Sequence, residues 1–531
     1  MQHQNHGLMN GRYFYILLLT LLFAAGFARG QRQDSTSAVS LNSFYLMPVL
    51  NPWLISDNPA GLSQNTALRP GEMALGFANE TGDFKHVLQG KTIQHYSFET
   101  KQYKKIKKTS LYGLFSYEKS FEKSLNYSEV NDPYRVTPYL LIDTMKMDGN
   151  TYDREFLKLD GRFSTPLNKN ISWGIASAFK VGLASQNRDP RPKNKVLNLS
   201  VSPGLLFSYS KVRFGLNLIY GYYNEDISAM IVRANTQMAF FSLHGLGTYI
   251  YHVTDSYYRL YKQNNFGFNA QINFHSGWVN SLTGAKLTFS KETVLDGRGE
   301  ANASWAHIKN CSELQGIHLK IYHTLVIHRG SFLQRFLVDL NIRQQLGTEI
   351  IQRLENDPNH NYMENWVTYG KDQKYGFYLL TTNLFYRLIK LKDNLISNFS
   401  LDGGISYFFS EKEYFIPNQK EKDKNMILSL RFDKSFFFNK NVLSIMGTFR
   451  YKRNLSGILD MEDTNFMVSK IIVPDFEYLT RNYTLFGMGL SYEIPLKKSR
   501  SKYFIKTQLE YIRANNNSTR TLLNVKTGII F

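Results

Sequence analysis

Arg213, Asp339, Arg343, Arg431, Asp433, Lys506 and Glu510 all fall on the polar face of segments whose opposite face is apolar, and Arg450 and Lys526 hold the same kind of position. If those segments are strands of a closed barrel, the charges line a lumen. A positive excess there selects anions, because a low-dielectric wall focuses the field. The more economical reading is that Arg and Asp on neighbouring strands pair across a filled interior. Catalytic chemistry is harder to find. His275-Ser276-Gly277 brings a Ser and a His together, but in a short turn with no Asn or Asp to orient the imidazole. No G-x-S-x-G stands in a strand-to-helix setting, and there is no H-E-x-x-H and no phosphate-binding glycine loop. Two acidic groups, Glu355 with Asp357 and Asp460 with Glu462 and Asp463, lack the twelve-residue calcium-loop pattern and read as solvated loop charge. The sequence therefore predicts no catalytic residue, no metal, no cofactor and no enzyme.

The elements that must carry these charges are best seen at the end of the chain. Phe531, Ile529, Thr527, Val525 and Leu523 alternate with Gly528, Lys526 and Asn524. Two segments just before do the same: Phe486, Met488, Leu490 and Tyr492 oppose Gly487, Gly489 and Ser491, and Tyr503, Ile505, Leu509 and Tyr511 oppose Lys506, Gln508 and Glu510. The pattern recurs upstream, as in Phe266, Phe268, Ala270 and Ile272 against Gly267, Asn269 and Gln271. A soluble sandwich alternates too, but its outer face favours Lys, Glu and Thr over repeated Gly, Asn and Ser. Small polar residues suit a crowded concave lumen. Tight turns near Asn168, Ser210, Ser276, Gly330, Asp393 and Lys440 alternate with long links at 131–153, 224–262, 352–374 and 452–482. The prediction is an all-β fold, an antiparallel transmembrane β-barrel of about 14 to 18 strands with short turns at one end and long loops at the other. Aromatic clusters, Tyr220 with Tyr222 and Tyr223 and Tyr407 with Phe408 and Phe409, mark its interfacial girdles.

Residues 1–30 read as a signal peptide: Arg12 precedes the apolar run from Tyr13 to Phe27, and the small residues Ala28 and Gly30 follow. The run is shorter than the ~20 residues a helical span needs. No later stretch is long and apolar enough, so the mature chain can cross a membrane only as strands closed into a barrel. The single cysteine, Cys311, permits no intramolecular disulfide. A charge of +20 suits anionic lipid headgroups and lipopolysaccharide, and a secreted chain with no recognition motif is a poor nucleic-acid binder. With 38 Phe, 34 Tyr and a hydrophobic fraction of only 43%, the composition fits a wet-lumened barrel with aromatic girdles.

Residues 31–70 do not alternate. They contain Asn51-Pro52-Trp53-Leu54 and Asn58-Pro59-Ala60-Gly61-Leu62, in which Asn-Pro starts a turn and Ala-Gly allows close backbone approach. This predicts a compact plug or hatch before a barrel spanning 71–531; the plainer alternative is a turn packed under the barrel. The run from Asn58 to Leu62 resembles the Asn-Pro-Ala-Gly/Ala segment of FadL-type outer-membrane barrels, and the wider layout resembles the uncharacterised barrels of Bacteroides-type bacteria. That resemblance implies a lumenal hatch shaped by Asn58, Pro59, Ala60, Gly61 and Leu62, and barrels of that kind include transporters of hydrophobic compounds and secretion-associated proteins. The chain end, with Asn524, Ile529 and terminal Phe531, resembles the signal read by the outer-membrane barrel-assembly machinery, although Lys526 stands where a glycine is expected.

Together these features predict an integral protein of the Gram-negative outer membrane that passes a small hydrophobic or anionic solute through a plugged channel. The alternative is a barrel that conducts nothing and anchors a surface or periplasmic protein partner.

Overall fold

The computed structural model describes residues 40–65, 70–143, 151–297, 308–357, 363–393, 396–462, 464–496 and 501–531. The expected signal peptide lies outside the described residues.

Eighteen strands form one antiparallel sheet that closes on itself. Closure joins the first strand, Gly71–Gly82, to the last, Thr519–Ile530, and the backbones of Gly71 and Phe531 bond to each other in both directions, at 2.7 and 3.0 Å. Closure leaves no open strand edge, which removes the unpaired N–H and C=O groups that hydrocarbon cannot satisfy. A one-residue slip would send every apolar side chain inward, so the alternation also fixes the register.

The two faces invert the pattern of a soluble protein. On the adjoining strands Val212–Met230 and Ser256–Ser276, Leu218 is 64% exposed and Phe266 59%, while Asn273 is fully buried and Asn217, Asn269 and Gln271 nearly so. An exposed apolar belt around a polar interior is the surface a bilayer requires. No described helix is long and apolar enough to cross a membrane.

At one end the strands turn tightly, with Ser210, Gly277, Gly330 and Asn439 each taking the left-handed conformation in short hairpin connections. At the other end several expected links prove to be strand. Phe332–Asp357 and Met363–Asp393 stay paired until Asp357 meets Met363, and Asn441–Asp460 likewise runs on opposite Lys420. Glu355, Asp357 and Asp460 are therefore strand residues, not loop residues. The 31 residues of Met363–Asp393 far exceed the ~9–11 needed to cross a bilayer. Beyond the apolar belt neither face needs to be greasy, so backbone pairing persists while alternation fades.

The long connections fold back over this end. They include a second sheet of three strands, Leu141–Asp143, Met238–Gly245 and Thr248–Thr254, and a helix, Val473–Thr480. Neither was visible in the alternation pattern. Not every aromatic joins a girdle, because consecutive strand residues face opposite sides. Tyr220 is exposed outside, whereas Tyr223 turns inward and donates to Glu225 at 2.6 Å, and Phe408 lines an interior cavity.

Candidate functional site

The described part of the N-terminal segment forms a helix, Leu41–Leu50, followed by two 3-10 turns, Pro52–Leu54 and Pro59–Gln64. Each Asn-Pro pair makes its turn in the same way. The Asn side chain accepts from the backbone N–H two residues on, Asn51 from Trp53 at 3.2 Å and Asn58 from Ala60 at 3.0 Å, while Pro fixes the first turn position. Gly61 is required because a Cβ there would lie 2.7 Å from the Trp53 ring.

This segment packs on the inner wall. The Asn58 side-chain amide donates to the carbonyls of Leu205 and Leu216 at 3.0 and 3.4 Å, and Ser164 donates to the Ala60 carbonyl at 3.0 Å. Three wall glycines make room: a Cβ on Gly174 would meet Ala60 N at 2.7 Å, one on Gly204 would meet Asn58 Oδ1 at 2.4 Å, and one on Gly215 would meet Asn58 Nδ2 at 2.7 Å. Trp53, Ala60, Leu206 and Leu282 form a buried apolar cluster beneath it. Leu62 lies in a second such cluster with Phe44, Met47, Leu54 and Tyr103.

The opposite end is covered by the 124–143 connection. Arg135 reaches into the barrel to Glu292, with its guanidinium 4.6 Å from the Tyr223 ring and 4.8 Å from Tyr261. Burial works against that charge, but the adjacent Glu292 carboxylate holds the guanidinium above its ordinary range. Thr137 donates to Glu292 at 2.9 Å, the Asn131 N–H donates to Glu225 at 2.7 Å, and Tyr261 donates to the Tyr139 carbonyl at 2.6 Å. Glu129 is fully buried beside Asp143; burial first, and that second carboxylate next, push its pKa well above the ordinary value. Outside this layer His86 Nδ1 sits 2.8 Å from Asp475, its ring between Tyr134 and Tyr478 at 4.2 and 4.0 Å. Burial alone would raise Asp475, but its hydrogen bond with His86 brings it below the usual carboxylate range.

Between inner segment and outer cover lies a cavity of about 410 Å³. Its walls carry Lys180, Asn198, Gln263, Asn265, Ser290, His318 and Arg343, and Asn131, Asp132, Arg135 and Val136 roof it. A second cavity of about 390 Å³ separates the Leu41–Leu50 helix from the wall carrying Arg431, Asp433 and Lys506. The seven charges expected in the lumen all project inward, but they divide into two groups. Arg431 pairs with Asp433 at 2.9 Å, Asp339 with Lys320 at 3.5 Å, and Glu510 accepts from Gln508 at 2.6 Å. Among the described residues Arg213 finds only the side-chain oxygen of Asn273, at 3.3 Å, and Arg343 and Lys506 form no ion pair with a described carboxylate. Arg450 is exposed to the lumen, and Lys526 bridges Glu72 and Glu99 at 2.5 and 3.3 Å beside the closing seam.

Ile529 pairs with Met73 and Asn524 with Ala78 across that seam, and the Phe531 ring covers Gly71, where a Cβ would lie 2.3 Å from it. His275 and Ser276 end a strand at a tight hairpin, and His275 donates its backbone N–H to the Lys211 carbonyl. Among the described residues no group of three or more His, Cys, Asp or Glu is placed to hold a metal ion. The buried set Glu225, Arg259, Glu292 and Asp296 was missed in the sequence. Its only signal was charge inside long polar stretches, which solvent-exposed loops share.

A family model described as a family of unknown function, DUF6850, matches residues 59–531. The chain belongs to the DUF6850 family. The match starts at Pro59, so most of the expected hatch motif falls inside it. No curated protein matches this DUF6850 chain. Among solved structures the DUF6850 barrel is similar to the ferric preacinetobactin receptor BauA from Acinetobacter baumannii, at 10% identity and TM-score 0.39 over 86% of this chain and 80% of that one. It is also similar to the copper transporter OprC, at 9% and 0.41 over 88% and 82%, and to a FadL homologue of Pseudomonas aeruginosa, at 10% and 0.31 over 90% and 92%.

Proposed function

We propose that this protein is an integral outer-membrane barrel that passes a small solute and is closed at rest from both ends, by the N-terminal hatch within residues 31–70 and by the folded-in outer connections. The observation that carries the reading is the docking of Asn58 to Ala60 against Gly174, Gly204 and Gly215. Where Asn58 to Ala60 meet the wall they rest on bare backbone through a few hydrogen bonds, and a contact of that kind can break without unmaking the wall. The cavity of about 410 Å³ left between the two closures is of the size that holds a small ligand. In this reading Asn524, Ile529 and Phe531 are engaged by the barrel-assembly machinery, and lipid and lipopolysaccharide surround the apolar belt.

A second reading, a filled barrel that anchors a surface or periplasmic protein, is favoured by the buried ion pairs that fasten the outer cover, above all Arg135 with Glu292. Liposome swelling in arabinose separates the two. The transport reading predicts slow swelling with the intact chain and several-fold faster swelling with G204V/G215V, in which the hatch cannot seat. Equal, background swelling from both, in barrels that remain heat-modifiable on gels, supports the anchor.

A further inference from the structure

We propose that the cavity between the two closures is a binding site for a hydroxylated organic anion of about mono- to disaccharide size, held by Lys180 and Arg343 and oriented by a ring of side-chain amides. The inference rests on the transport reading, since a vestibule with no route through the barrel would have no cargo to hold.

Charge supplies the first argument. Arg135, Lys180 and Arg343 are the permanent cations lining the cavity, and Asp132 is its carboxylate. Arg135 is already matched by Glu292, so Lys180 and Arg343 supply the uncompensated charge, and neither pairs with a described carboxylate. The Lys180 ammonium rests 4.1 Å from the Phe156 ring, which positions the cation without cancelling it. Other lumen cations in this barrel are paired on the same or the neighbouring strand, as Arg431 is with Asp433 and Arg387 with Asp402, or stand open singly, as Arg213 and Lys506 do. Two cations left open in one cavity mark where an external anion completes the set.

The remaining lining sets the rest of the ligand. Asn198, Gln263 and Asn265 present both donors and acceptors, and Ser290 and Thr288 add hydroxyls. Such groups match vicinal hydroxyls and leave an alkyl tail unsatisfied. The space also exceeds what a bare inorganic anion fills. A hydrophobic acid fails on the walls and a simple ion fails on the volume, whereas a sugar acid meets both.

Equilibrium dialysis of the full refolded chain in detergent tests this, run until uptake is constant, with G204V alongside so that hatch access does not limit entry. The probes are glucuronate, glucose and glucosamine, which share a ring and differ in charge. Glucuronate is expected to bind at least about tenfold more tightly than glucose, and glucosamine more weakly still, a gap of the size one well-placed charge contact gives. K180Q/R343Q is expected to remove most of the preference for glucuronate while leaving glucose unchanged, and raised salt to weaken glucuronate in the parent alone. Glucose bound as tightly as glucuronate, no retention of glucuronate by either protein, or an unchanged preference in K180Q/R343Q overturns the assignment. Swelling without glucuronate binding refutes this site and spares the transport reading; binding without swelling does the reverse.

Discussion

Trp53 donates its indole N–H to Asn273 Oδ1 at 3.1 Å, joining a turn of the N-terminal segment to an inward side chain of the barrel wall. Asn273 is fully buried, is also contacted by Arg213, and donates to Asn280 at 2.6 Å and to the Ser281 carbonyl at 2.8 Å. Asn273 keeps those three other hydrogen bonds without Trp53, so the loss of this contact falls on the N-terminal segment.

Trp53→Phe should keep the ring and lose one hydrogen bond, weakening hatch docking by about 1 kcal/mol. Trp53→Ala should weaken it by about 3–5 kcal/mol, the usual cost of deleting a buried Trp. Protease cutting within residues 40–65 measures this. Cutting should rise slightly in the first variant and strongly in the second, with the barrel itself intact.

The closing seam makes a coupled prediction. Gly71→Ala places a Cβ against the Phe531 ring and should cost about 1–3 kcal/mol of overpacking. Phe531→Ala in the same chain should relieve most of that cost, because the backbone pair between the two residues needs no side chain. The midpoint of heat-modified gel mobility reads each variant, and additive effects would contradict the contact.

The outer cover should respond to pH through Glu129. Its pKa is raised in the folded connection, so the folded state keeps a proton that the open state releases above the ordinary carboxylate value. Docking of the connection is therefore strongest at acid pH and weakens as pH rises toward the folded-state pKa. Protection of the amides in residues 125–143, measured as exchange relative to the intrinsic rate at each pH, should be lower at pH 8 than at pH 5, and Glu129→Gln should abolish most of the difference.

Much of the barrel was legible because a lipid-facing wall must alternate. The run from Tyr503 to Tyr511 shows this directly, and the strand total falls at the top of the expected range. The cover was not legible. Phe240 and Leu141 are fully buried by meeting residues distant in sequence, and the short strands that carry them have no lipid face to advertise them. Among the lumen charges, which face Arg343 and Arg431 occupy could be read from the pattern. Whether each finds a carboxylate depends on neighbouring residues and cross-strand register, which spacing along one strand does not give. Gly174, Gly204 and Gly215 looked like generic small lumen residues until the segment they accommodate was placed.

Arg259 and Asp296 test how far the cover depends on buried charge. Arg259 Nε and Nη2 both donate to the Asp296 carboxylate at 2.6 Å, and Tyr257 donates to it at 2.7 Å, with Arg259 fully buried. Asp296→Ala strands the guanidinium and should destabilise the folded barrel by about 3–5 kcal/mol. Replacing both, as R259M/D296L, should recover most of the loss in a urea titration, since the penalty lies in the unmatched charge.

The central claim, a conduit held shut from both ends, is tested most directly by planar-bilayer conductance. Four proteins are compared: the intact chain, one lacking residues 31–70, one carrying R135A/Y139A in the outer cover, and one with both changes. The account predicts a closed intact barrel, brief openings from each single release, and steady anion-preferring current from the double release. Silence from the doubly released protein, with folding shown by heat-modifiable mobility, would contradict it and leave a filled barrel that serves as an anchor.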